Sequence, residues 1–165
     1  MKQIVVHFEC AKGKIQGAGF CSIVRNANRV LKVYGGDEDA LNGELTLRGI
    51  NATLRAITEN ELSNNIVVVT NDYFVHNMLA AQNNHMFATP EQERKFKAYY
   101  RSQKQLFQEL FDEYERMLNT GIRVSYRKPE DADQCFNEAA LKDALDAAQK
   151  NTWFECRDYK NGELK

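Results

Sequence analysis

The sequence predicts an α/β domain: a mixed five-stranded sheet with helices on both faces. Three observations predict it. Three β-rich runs stand together before Gly36, joined by short links that suit an antiparallel meander. After Gly36 the apolar spacing changes to helical stripes, interrupted by two further β-rich runs. One of these, Ile66-Val67-Val68-Val69-Thr70, is apolar without alternation, as in a central strand buried on both faces.

The elements follow in order. Ile4-Val5-Val6-His7-Phe8 is the first strand, and Lys12 to Gly17 a loop. Gly17 to Val24 is the second, starting on small residues. Asn26-Ala27-Asn28 is turn chemistry, and Arg29 to Tyr34 is the third strand, ended by Gly35-Gly36. Leu47, Ile50, Leu54 and Ile57 form a helix stripe, with Glu44 in or near the first turn, where a carboxylate suits the helix dipole. A short helix is expected from Asp72 to about Gln82. Thr89-Pro90-Glu91-Gln92-Glu93 is a strong helix start. The stripe after it, Phe96, Tyr99, Gln103, Leu106, Leu110, Tyr114 and Met117, could run to Asn119. A continuous helix of that length would be about 45 Å long, in a domain only about 40 Å across. It therefore either projects or breaks. Ile122 to Tyr126 alternates and is the fifth strand. Phe136, Ala140, Ala144 and Ala148 share one face of a last helix, from about Asp131 to Gln149.

Composition bounds the function. The chain has 165 residues, 43% hydrophobic and 27% charged, which is ordinary for a globular domain and excludes a disordered chain. One domain is expected over residues 1–150, with a long helical insertion at about 90–119 and a tail over 151–165 that contains Trp153. The net charge is -1, so any nucleic-acid surface must be a local patch. No apolar run is long enough to span a membrane, and the first residues do not read as a signal peptide. Cys10, Cys21, Cys135 and Cys156 lack metal-ligand spacing and read as reduced thiols of a cytoplasmic protein.

Four stretches carry a resemblance. Phe8-Glu9-Cys10-Ala11 ends the first strand, and Gly17-Ala18-Gly19-Phe20 opens the second. Asn42-Gly43-Glu44-Leu45 stands at the start of the first helix. Thr70-Asn71-Asp72-Tyr73-Phe74-Val75 ends the fourth strand. Ala132-Asp133-Gln134-Cys135-Phe136-Asn137-Glu138-Ala139 opens the last helix. In this order, on these elements, they resemble type 1 ribonuclease H over residues 1–149. The resemblance implies strand order 3-2-1-4-5, with Ile66-Thr70 parallel to Ile4-Phe8.

The resemblance also implies a chemistry. Carboxylates from strand ends and helix starts hold Mg²⁺ or Mn²⁺, and two such ions about 4 Å apart cleave the RNA strand of an RNA/DNA hybrid. The implied positions are Glu9, Glu44, Asn71 and Asp133, where the family has Asp, Glu, Asp and Asp. Glu9 is one methylene longer, enough to move its carboxylate by about an ångström. Asn71 keeps an oxygen but loses a charge, so metal affinity falls. Asp72 replaces it only if the strand end slips by one residue. The family's loop histidine has no counterpart in Tyr126-Arg127-Lys128-Pro129, so its role is vacant or falls to Arg127 or Lys128.

A basic run lies on the long helix. Arg94, Lys95, Lys97, Arg101 and Lys104 occur with no acid between them. Lys97, Arg101 and Lys104 are three or four apart and share a helical face. Such a face is either simply solvated or grips phosphates, as the family's basic protrusion does. Tyr99 and Tyr100 could stack on a sugar or base, but their spacing with Phe96 and Gln103 favours core packing. Two functions stay open: a metal-dependent nuclease acting on RNA/DNA hybrids, toward which the resemblance leans, and a catalytically decayed domain that binds nucleic acid or a protein partner.

Overall fold

The structure, a computed structural model, describes residues 3–26, 29–60, 65–150 and 155–160. β1 (Gln3–Lys12), β2 (Ala18–Asn26) and β3 (Arg29–Asp37) form the antiparallel meander. α1 (Asn42–Asn60) leads to β4 (Asn65–Val69), which pairs parallel with β1, Val6 opposite Val68. β5 (Val124–Arg127) pairs parallel with β4. The expected order 3-2-1-4-5 is present, and both central runs are buried.

A sixth strand, β6 (Glu155–Lys160), lies antiparallel along β3. It comes from the stretch expected as a tail. It covers backbone groups that an edge strand would leave unpaired. Trp153 lies outside the described residues.

Glycines 35 and 36 do not end β3; the strand continues through them to Asp37. The reason lies in the second layer. α5 (Gln134–Lys150) packs on β1, β2 and β3 through Ala140, Ala144, Ala147 and Ala148. Gly19 and Gly36 are paired across β2 and β3 beneath it. A Cβ on Gly36 would stand 1.8 Å from the Ala147 carbonyl oxygen, and one on Gly19 would stand 2.2 Å from that of Ala144. Absent side chains let helix backbone rest on sheet backbone.

The opposite face carries the larger core. Phe8, Phe20, Leu45, Leu47, Ile50, Leu54 and Ile66 are fully buried there, with Phe107 and Leu110. After β4, a π-helical turn (Val75–Leu79) runs into the short α2 (Ala80–Asn83). The long helix breaks. α3 (Pro90–Ser102) and α4 (Lys104–Asn119) are separated at Gln103, whose φ of -124° and ψ of 36° are not helical. Thr89 caps α3, its hydroxyl accepting from the Gln92 N–H at 3.2 Å. The break lets aromatic side chains of the two helices meet: Phe96 and Tyr99 both pack edge-on against Phe107. That contact is why the helix folds back on the domain instead of projecting. Tyr99 and Tyr100 pack against the core, as their spacing predicts. Among the described residues, no helix is long and apolar enough to cross a membrane.

Candidate functional site

β1 and β4 run parallel, so Glu9 and the residues after Val69 emerge at the same end of the sheet. Glu9 is buried, at 5% exposure. Its Oε1 accepts three hydrogen bonds: from the Asn71 backbone N–H at 3.1 Å, the Asn71 side-chain amide at 3.0 Å and the Asn137 side-chain amide at 2.9 Å. Burial pushes the Glu9 carboxyl above its ordinary value; the amides of Asn137 and Asn71 pull it back part of the way, and Asp72 pushes it up further.

Asn137 is fixed from behind. Its Nδ2 also donates to the Val69 carbonyl at 3.0 Å, and its Oδ1 is 2.8 Å from Nδ1 of His7. His7 lies on the same face of β1 as Glu9, two residues earlier, and is buried. Its Nε2 faces the Arg25 Nε–H at 2.9 Å. Arginine only donates, so Nε2 is the acceptor and Nδ1 carries the proton. Phe136 stacks on His7 at 4.8 Å, and the Arg25 guanidinium lies 4.0 Å over the same ring. A directed chain results: Arg25 donates to His7, His7 to Asn137, and Asn137 to Glu9.

Among the implied metal positions, Asn71 bonds Glu9 and the others are held by different partners. Asp72 has another partner: its Oδ1 accepts from the Val75 N–H at 3.1 Å, at the start of the helical segment that begins at Tyr73. Burial raises the Asp72 carboxyl, against the backbone N–H groups of Val75 and Phe74. Asp133 is bound by Arg127, whose guanidinium meets its two oxygens at 2.7 and 3.4 Å. Asp133 also accepts from the Glu130 N–H at 2.9 Å, which closes the turn before α5. Arg127 holds the Asp133 carboxyl below its ordinary value. The contact with Glu9 comes instead from Asn137, one helical turn on from Asp133 and on the same face. Glu44 lies 3.5 Å from Arg48, which also bonds Asp37 at 3.0 Å.

Hard divalent ions need several converging anionic oxygens. At the point where Glu9, Asn71 and Asn137 meet, one carboxylate faces amide N–H groups. Among the described residues, no group of three His, Cys, Asp or Glu side chains is placed to hold a metal ion. This donor set does not fit Mg²⁺ or Mn²⁺.

The basic residues Arg94, Lys97, Arg101 and Lys104 are exposed, as is Lys128. The break at Gln103 puts Lys104 on α4 and the others on α3. Lys97 lies 3.3 Å from Glu93. Arg127 is tied to Asp133 and to the Lys128 carbonyl, so it is a structural cation before it is a surface one. Tyr99 sets α3 beside the start of α1: a Cβ on Gly43 would be 2.6 Å from the Tyr99 hydroxyl. Beside Asn71, Tyr73 is 77% exposed. The sequence reading missed His7, Arg25 and Asn137. The two-residue step from His7 to Glu9 and the four-residue step from Asp133 to Asn137 were the signals for them.

No protein-family model and no curated protein sequence matches this chain. Solved structures do. The N-terminal RNase H domain of a Mycobacterium tuberculosis protein, fused to maltose-binding protein, is 16% identical, with 91% of this chain and 98% of that one covered and a TM-score of 0.56. A type 1 RNase H with the type 2 active-site motif is 16% identical, with 98% and 79% covered and a TM-score of 0.62. A Halobacterium salinarum RNase H of type 1 is 15% identical, with 87% and 98% covered and a TM-score of 0.52. The strand order, the helices on both faces and these likenesses show that the chain has a ribonuclease H-like fold.

Proposed function

We propose that the protein is a ribonuclease H-like domain that binds nucleic acid of RNA/DNA-hybrid shape through its phosphates and does not hydrolyse it. The observation that carries this reading is the Glu9 carboxylate, whose Oε1 is engaged by three N–H donors, two of them asparagine side chains. Two-metal hydrolysis needs anionic oxygens in those places. Arg94, Lys97 and Arg101 on α3 and Lys104 at the start of α4 supply exposed positive charge, and phosphate contacts need no base-specific geometry. Tyr73 offers an exposed ring beside the centre for stacking on a base or sugar. The exposed surface around it would equally serve a protein partner.

The second reading is metal-dependent cleavage of the RNA strand. It is favoured by the nearness of Asp72 to Glu9, close enough for its charge to raise the Glu9 carboxyl. One experiment separates the two. A labelled RNA/DNA hybrid is incubated with the protein in EDTA, Mg²⁺ and Mn²⁺, beside single-stranded RNA and duplex DNA. The expected result is binding that survives EDTA, with no cleavage. Metal-dependent cleavage lost in the Glu9→Gln variant establishes the nuclease.

A further inference from the structure

We propose that Asn71 and Asn137 form an amide clamp that does for Glu9 Oε1 what a divalent cation would do, and that the Arg25–His7 pair locks the Asn137 arm in its donating orientation. This deepens the non-hydrolytic reading above and rests on it.

The argument is one of direction. An asparagine amide can turn over, exchanging its oxygen and nitrogen at little cost unless its partners forbid it. Around Asn137 every partner forbids it. On one side stand two oxygens, the Val69 carbonyl at 3.0 Å and Glu9 Oε1 at 2.9 Å. On the other stands the His7 Nδ1–H at 2.8 Å. Turned over, the amide would set oxygen against both oxygens and N–H against N–H. The orientation begins at Arg25, which has no acceptor to offer. It makes His7 Nε2 the acceptor and therefore Nδ1 the donor.

The same clamp opposes a cation at Glu9 Oε1. A metal ion on Glu9 Oε1 would have to displace the Asn71 backbone N–H and two side-chain amides. Asn137 has no freedom to offer its oxygen instead, because that oxygen is held by His7. A carboxylate at 137 would lose the donor contacts to Glu9 and Val69 and gain repulsion in their place. With a carboxylate at 71 as well, three acidic groups would converge, and a divalent ion becomes the natural way to satisfy them. The two asparagines are thus a linked exchange of amides for metal.

The test is metal-linked stability, which needs no activity. Melting temperatures of the parent, Glu9→Gln, Asn71→Asp and the Asn71→Asp/Asn137→Asp double variant are measured in EDTA and in 10 mM Mn²⁺. The parent is expected to be indifferent to Mn²⁺. The double variant melts lower in EDTA and recovers about 5–10 °C in Mn²⁺, as expected for an ion at roughly a hundred times its dissociation constant. Should it fold in neither condition, the Asn71→Asp variant carries the comparison, since residue 71 is exposed: Mn²⁺ must raise its melting temperature and leave the parent's unmoved. Mn²⁺ stabilisation of the parent that Glu9→Gln removes would overturn the clamp, and so would a folded double variant indifferent to Mn²⁺. Hybrid binding in EDTA is scored separately, so a chain that fails to bind nucleic acid but passes these tests refutes the proposed function and leaves the clamp standing.

Discussion

Removing the Asn137 side chain tests the buried chain most directly. Asn137→Ala deletes three hydrogen bonds: from His7 Nδ1 at 2.8 Å, to Glu9 Oε1 at 2.9 Å and to the Val69 carbonyl at 3.0 Å. Asn137 and His7 are 2% and 0% exposed, so the His7 N–H loses its partner, and the Val69 carbonyl loses one bond, where solvent does not reach. Each buried group left unpaired costs about 1–3 kcal/mol. Glu9 keeps two donors and loses less. With about 0.5–1.5 kcal/mol for each of the other two lost bonds, the sum is about 2–6 kcal/mol, a large part of the roughly 5–15 kcal/mol that holds a domain folded. Asn71→Ala is the control. It removes one bond from an exposed side chain and leaves the Asn71 backbone N–H on Glu9, so it should cost under about 1.5 kcal/mol. Urea denaturation of both variants, with a common slope, gives the difference. A loss below about 1 kcal/mol for Asn137→Ala, or equal losses for the two variants, would refute the reasoning that Asn137 is the buried hub.

Other predictions follow from single contacts. Asp133 is held below its ordinary value by Arg127, so it stabilises the fold above the ordinary aspartate range, and that stability is lost as pH falls through its lowered value. Arg127→Ala should remove this contribution, and its acid unfolding, followed by circular dichroism, should start at higher pH than the parent's. Gly36→Ala should cost at least about 3 kcal/mol in urea, because its Cβ would stand 1.8 Å from the Ala147 carbonyl oxygen and the obstacle is backbone. Changing Lys97, Arg101 and Lys104 together to Ala should weaken hybrid binding and reduce its salt slope by up to about three units. The same change should cost under roughly 0.5 kcal/mol of folding stability per site; an unmoved salt slope would make these residues a solvated face only.

The sequence by itself determined β1 to β5, the main helices and the layers, but not β6, which lies in the stretch expected as a tail. Continuous apolar runs at Ile4-Phe8 and Ile66-Thr70 have one favourable place, the middle of a covered sheet, and they sit there. Stripes at three- and four-residue steps made α1, α4 and α5 legible, and Thr89-Pro90 made the start of α3 legible. Periodicity and capping are local, so one chain shows them. The break at Gln103 was only half legible. The stripe runs unbroken through it, and only the packing of Phe96 and Tyr99 on Phe107 decides it. Gly35-Gly36 read as a strand end because glycine has that meaning locally; its reason is the α5 backbone, more than a hundred residues away in the chain. The candidate site divides the same way. Glu9, Asn71 and Asp133 could be named from the resemblance alone. Asn137, four residues after Asp133, carried no role in it. Only the tertiary structure assigned the contacts: Arg127 binds Asp133, and His7, reaching from β1, turns the Asn137 amide toward Glu9. A sequence states which groups are present. Which of them donate, and to whom, depends on partners that only folding brings together.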